Sequence, residues 1–362
     1  MSSAKHDRST RGGDVLNGFL RMARGSNLFG LLIFWAVLFG FFAIMLPEAF
    51  SRAGTYQAMM FQIPELGLLS LAMAIPLISG GLNLAIIATS NQLALLMGWI
   101  LTTQMPVDAQ GAELWIWLVA ALGCGLILAL IIGAVTGLLV ALLGVHPILV
   151  TLGTMTLING VSIYLGRGTT ISGFPDPLLA VSNSTVLGTP LSFLLFLVLA
   201  FGVHVLLTRT PLGIRIHMIG SNLEATRFSG VDDRRVLIWV YVLSSVLCWF
   251  AAVVMMSRFN SAGADFAQSY LLITILAAIL GGIDPYGGFG RIAGLVVALA
   301  ILQTISSGFN LMGLSAQMTL VFWGGTLLVV MGVKRIAAAH RARAKPAPST
   351  PSNPTEEVRQ TP

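Results

Sequence analysis

Charge is what this chain has least of. Only 9% of its 362 residues are Asp, Glu, Lys or Arg, against about 25% in a soluble domain, so it cannot cover itself with a water-facing surface. Cysteine is scarce as well. Cys124 and Cys248 stand alone in apolar runs without metal-type spacing, which reads as two buried small hydrophobes, with no disulfide and no metal site. No Gly-x-x-x-x-Gly-Lys-Ser/Thr phosphate loop occurs, so the chain is not expected to hydrolyse ATP itself. Ionisable residues are almost missing from the apolar runs. Glu65, next to Pro64, is the one acid well inside a run, and His204 the one histidine near a run's interior. An ion-coupled carrier needs charged partners there, so intrinsic coupling is poorly supported. Glu65 is open to two readings: a functional group at a bent helix, or a cap near the outer interface. His204 reads as interfacial.

What is present is apolar: 56% hydrophobic residues and a mean hydropathy of +0.87. The expected class is an all-α polytopic membrane protein. A spanning helix needs roughly 20 apolar residues, which gives ten spans, near 28–46, 58–79, 84–102, 114–144, 148–165, 191–207, 236–256, 270–281, 292–309 and 317–333. The 114–144 stretch fits one tilted helix or a helix plus a re-entrant piece. The 270–281 stretch is a half-helix or extends into the polar run before it.

The net charge of +6 is not a nucleic-acid signal, because the basic residues sit in tails and loops. With both termini cytoplasmic, 17 of the 20 Lys and Arg fall on the cytoplasmic side; Arg52, Arg167 and Arg258 are the exceptions. That bias supports the orientation and the even span count together. The expected organisation is a cytoplasmic tail over 1–27, a transmembrane domain over 28–335, and a Pro- and Ser-rich, disordered cytoplasmic tail over 336–362. The tail at 1–27 lacks a signal peptide's apolar core and cleavage site. The outer loop 166–190 is either a connector or a piece of surface structure that meets a partner.

Two Gly-broken apolar segments match across the halves: Ser79-Gly80-Gly81-Leu82-Asn83 and Leu280-Gly281-Gly282-Ile283-Asp284. Duplicated transporter folds carry such paired interruptions, since unwound backbone is tolerated at depth only where it is buried or faces a cavity. A transporter without a built-in motor must borrow one. The docking place offered is the cytoplasmic loop 208–235, where Ser221 or Asn222 caps a short helix from Leu223 to Phe228 and Gly230 ends it. Leu223 and Phe228 present an apolar face flanked by Glu224 and Arg227; the alternative is a solvated charged loop.

These residues resemble the permease subunits of bacterial ATP-driven (ABC) importers for monosaccharides, of the ribose, xylose and autoinducer-2 type, related more distantly to branched-chain amino-acid permeases. The resemblance spans roughly 30–335 and rests on four segments in order: Ser79 to Leu84, His146 to Met155, Ile219 to Val231, and Gly281-Gly282 through Gly287-Gly288-Phe289-Gly290 to Leu311. It implies a ten-helix fold of two pseudo-symmetric halves in the bacterial inner membrane, surrounded by lipid. It implies a second permease copy, a separate ATPase carrying ATP and Mg, and a periplasmic solute-binding protein. The chain itself would hold no cofactor and no metal. The docking residues would be Asn222, Glu224, Ala225, Arg227, Phe228 and Gly230. The translocation pathway and broken helices would use Gly80, Gly81, Asn83, Asn91, Gln92, Asn159, Gly281, Gly282 and Gln303, with Asn83 and Asn91 on one helix face; helix-to-helix bonding is the alternative role of the polar ones. Gly133 and Gly137 read as a close-packing pair. The chain departs from the family where Asn83 replaces a common Asp and where Leu271 to Thr274 replaces an acidic pair. Rival readings are a permease for branched-chain amino acids or nucleosides, an ion-coupled transporter, and a membrane enzyme.

Overall fold

The computed structural model describes residues 27–106, 108–315, 317–326, 328 and 332. Residues 1–26 of the tail expected over 1–27, and all of the tail expected over 336–362, lie outside the described residues. Eight described helices are long and apolar enough to cross a membrane: α1 (Asn27–Met45), α3 (Ala53–Ile78), α4 (Ile86–Trp99, continued as a π turn to Gln104), α5 (Ala112–Leu143), α6 (Pro147–Gly166), α8 (Leu191–Arg209), α11 (Asp233–Phe259) and α13 (Ile292–Leu311). The short α2 (Pro47–Phe50) links α1 to α3, and residues 317–326 are helical. Residues 112–143 form a single uninterrupted helix, which settles the first of the two open spans.

Burial sorts the helices. The apolar window of α3 is 83% buried within the chain, that of α1 only 6% and that of α6 only 17%. α3 is therefore core, and α1 and α6 turn large apolar faces outward, as a surface in lipid or against another subunit must. α11 packs against α3, α4 and α5. Its contact with α5 is close because of two glycines: a Cβ on Gly137 would lie 2.7 Å from the Ile238 Cα, and one on Gly133 2.7 Å from the Val242 Cα. The close-packing role of this pair holds. Gly137→Ala is expected to lower the melting temperature in detergent by an overpacking cost of about 1–3 kcal/mol. Gly123→Ala, on the same helix with nothing within 4 Å, should not.

Cys248 is buried, but Cys124 is exposed on α5, contrary to the expectation that both are buried. Nothing in an apolar run distinguishes a lipid-facing position from a core one.

Two prolines interrupt α3, at 64 and 76. Pro76 has no N–H to give to the Ala72 carbonyl one turn back. The Ser244 hydroxyl of α11 donates to that carbonyl at 2.7 Å, and Ser244 in turn accepts from Asn83 Nδ2 at 2.9 Å. The freed backbone acceptor is thus satisfied by a neighbouring helix, as membrane depth requires.

The loop 166–190 holds α7 (Asp176–Asn183), a small hairpin of β2 (Thr185–Val186) and β3 (Thr189–Pro190), and β1 (Ile171–Ser172), which pairs antiparallel with β4 (Ser261–Ala262). Ser182 is tied to Ser257 and to the Val254 carbonyl of α11. The loop is structured surface anchored to the helix ends.

The chain after β4 turns back into the bundle. Ala262 lies beside Gly98 of α4, while the carbonyls of Ala264 and Phe266 reach Asn91 Nδ2, at 2.8 and 2.9 Å. Asn91 stands seven residues down the helix, about 10 Å deeper. This re-entrant stretch explains the short α12 (Tyr270–Leu280): residues 264–269 before it are turns and not helix, and Asn91 supplies donors to their carbonyls that a helix would otherwise provide.

Candidate functional site

Two groupings of residues carry the chemistry, one at a helix junction and one at the midpoint of α3. At the junction, α3 and α12 end alike. Gly80 donates to the Leu77 carbonyl and Gly81 to that of Pro76; Gly282 donates to Ile279 and Ile283 to Ala278. Each is a Schellman ending with a left-handed glycine, at φ +85° for Gly80 and +89° for Gly282. The two Gly-Gly pairs are therefore out of register by one: Gly80 matches Gly282, and Ser79 matches Gly281. Gly281 serves a different purpose, since a Cβ there would lie 2.6 Å from the Leu295 Cα at the start of α13.

The two breaks also meet. Gly288 N–H donates to the Ile78 carbonyl at 2.8 Å, and a Cβ on Gly287 would sit 2.6 Å from the Gly80 Cα. Between them lies Gly220 of α9 (Pro211–Ser221), against the Ile78 carbonyl and Gly288 N with no room for a side chain. The interruptions of both halves are thus backbone packed on backbone, and the loop after α8 is wedged into them.

That loop is two helices. Asn222 Oδ1 accepts from Ala225 N at 3.0 Å and caps α10 (Leu223–Phe228), and Gly230 leaves it at φ +76°, as the capping residues predict. Arg227 donates twice to Asp233 Oδ2, at 3.0 and 2.7 Å, which fastens α10 to the start of α11. That hydrogen bond, and then the carboxylate's charge, raise the Arg227 guanidinium above its ordinary pKa. Phe228 is 93% exposed, a large apolar ring turned to solvent beside Glu224. An exposed ring on a rigidly fastened helix has the form of a contact surface.

The second grouping surrounds Glu65, the thirteenth residue of the 26 in α3. It caps nothing at a helix end. Its Oε1 accepts from Arg258 Nη1 at 2.6 Å and from the Tyr270 hydroxyl at 2.7 Å, and the residue is 1% exposed. Gln303 Nε2 of α13 donates to Gln62 Oε1 at 2.9 Å and to Ser307 Oγ at 3.0 Å. Gln62, Glu65, Arg258, Tyr270 and Gln303 border a cavity of about 60 Å³ that Ser306 and Trp323 help to close. Sequence reading found Glu65 and Gln303 but missed Arg258, Tyr270, Gln62 and Trp323. The partners are 193 and 205 positions from Glu65, and no local pattern announces such a pair.

Of the other pathway candidates, Asn83 bonds Ser244 and receives Ala85 N at 3.1 Å; it precedes α4, so it shares no helical face with Asn91. Asn91 holds the re-entrant loop, and Gln92 accepts from Ser162 of α6. These three bond segments together. Asn159 on α6 has a buried Oδ1 without a partner among the described residues, apart from the other two groupings.

Buried helix breaks, a solvent-turned helical platform wedged into them and a polar network inside an apolar bundle define a polytopic transport subunit, a permease. The comparisons give its family. Residues 55–331 match the family model described as branched-chain amino acid transport system / permease component, and the chain belongs to that family. It is 30% identical over 286 residues to the autoinducer 2 import system permease protein LsrD of Salmonella typhi, covering 76% of this chain and 81% of the relative. The protein of the same name from Photorhabdus laumondii is 28% identical over 281 residues, with the same two shares. That of Yersinia enterocolitica is 29% identical over 286 residues, covering 76% and 82%. No solved structure matches the chain significantly.

Proposed function

We propose that this permease forms half of the membrane pore of an ATP-driven importer in a bacterial inner membrane, with both termini cytoplasmic, and moves a monosaccharide or a similar small polar solute. ATP and Mg belong to a separate ATPase that seats on α9 and α10, a periplasmic binding protein delivers the solute, and a second permease copy completes the pore. The observation that carries this reading is Gly220. A segment that contacts an ATPase on one side and both helix breaks on the other passes a rigid displacement to α3 and α12 together, and through them alternates access. A hydroxylated solute is favoured over an amino acid by the polar network. Among the described residues its guanidinium, Arg258, is already neutralised by Glu65, which leaves amide and hydroxyl groups to meet the cargo; a substrate carboxylate would want a free cation or a helix N-terminus.

The test is affinity purification of the tagged chain from its native membrane in mild detergent. An ATPase and a solute-binding protein should accompany it, and Glu224→Lys should lose the ATPase while still inserting. A chain that comes down alone, under conditions that preserve a control ABC complex, overturns the reading.

A further inference from the structure

The cavity beside Glu65 holds two buried polar atoms that the network leaves over. Arg258 and Tyr270 both bond Glu65 Oε1; Oε2 has no partner among the described residues. The indole Nε1 of Trp323, on the 317–326 helix, is likewise buried without a partner among them. Both residues line the same cavity of about 60 Å³, with Gln62, Gln303 and Ser306. A carboxylate oxygen accepts only, and an indole N–H donates only. The two do not share a hydrogen bond, and each buried group without a partner is costly. A hydroxyl group resolves this, because it donates and accepts at once. The volume suits one or two such groups, since a water needs only about 10–15 Å³ measured this way.

We propose that this cavity is a hydroxyl-binding site. A bound hydroxyl donates to Glu65 Oε2 and accepts from Trp323 Nε1, with the amides of Gln62 and Gln303 able to contact a neighbouring hydroxyl on the same molecule. The hydroxyl comes from a polyol in transit or from a resident water. The polyol source rests on the importer reading; the chemistry of the site does not. The site joins α3, from one half, to the helices that follow the second break, so its occupancy senses how the two halves sit against each other.

The experiment is solution NMR of the full chain in detergent with its seven tryptophans labelled at the indole nitrogen, the Trp323 signal being identified by its disappearance in Trp323→Phe. If the hydroxyl belongs to a polyol, D-ribose or D-xylose shifts the Trp323 signal saturably, leaves the other six in place, and loses this effect in Glu65→Gln. If it belongs to a water, the sugars do nothing and the Trp323 N–H of the unmodified chain shows a cross-peak to a long-lived water. A signal that neither responds to sugar nor contacts water overturns the site, and both arms can be read on unmodified protein. Recovery of the ATPase alongside such a negative result would remove this site and leave the importer reading intact.

Discussion

Replacing Arg258 with methionine is expected to cost about 3–5 kcal/mol, because Glu65 then stays buried with no counter-charge. The Glu65 side chain is 1% exposed and that of Arg258 25%, so the carboxylate has no route to bulk water and the loss falls on it. The melting temperature in detergent should drop by several degrees and the yield of folded protein should fall. Pairing the change with Glu65→Gln should restore most of the loss, since two neutral groups of similar size need no mutual compensation. Equal losses in the single and double variants would show that Arg258 matters through packing alone.

The second large effect belongs to Gly220. In Gly220→Val the new side chain meets the Ile78 carbonyl and Gly288 N, both backbone, and neither can swing aside as the tip of a side chain would. The bond between those two atoms should open and the wedge should lose its fit. Uptake is expected to fall to background while the ATPase still co-purifies, because Phe228 and the cap of α10 lie outside the contact. Gly202→Val, on α8 with nothing within 4 Å, serves as the control for inserting bulk into this chain. Normal uptake in Gly220→Val would remove the mechanical role assigned to the junction.

The parts of this protein legible in one dimension are those governed by neighbours in sequence. α10 is the clearest case: Asn222, Leu223 to Phe228 and Gly230 are found where capping chemistry places them, since a cap, a turn of helix and a left-handed exit involve only adjacent groups. The long spans were legible for the same reason, being set by continuous apolar length. The re-entrant stretch before α12 was half legible. Its shortness could be read, but its depth depends on Asn91 of a distant helix.

The Gly-Gly pairs mark the limit. Their likeness was visible, yet the letters aligned them one residue out, because the left-handed position is fixed by where each helix ends and not by where glycine is written. Glu65 shows the same limit more sharply. An acid at the midpoint of an apolar helix could be seen to need an explanation, but its ion pair, its phenol and the indole across the cavity come from segments about 190 to 260 residues further along. Sequence alone therefore determined that the chain spans a membrane, roughly where its long helices lie, and how the short helix Leu223–Phe228 is capped, since apolar length and capping act along the chain itself. The tertiary structure alone decided that both helix breaks close on Gly220 and that Glu65 is a paired charge with one oxygen to spare, because close packing and charge compensation are relations between segments that the order of residues does not contain.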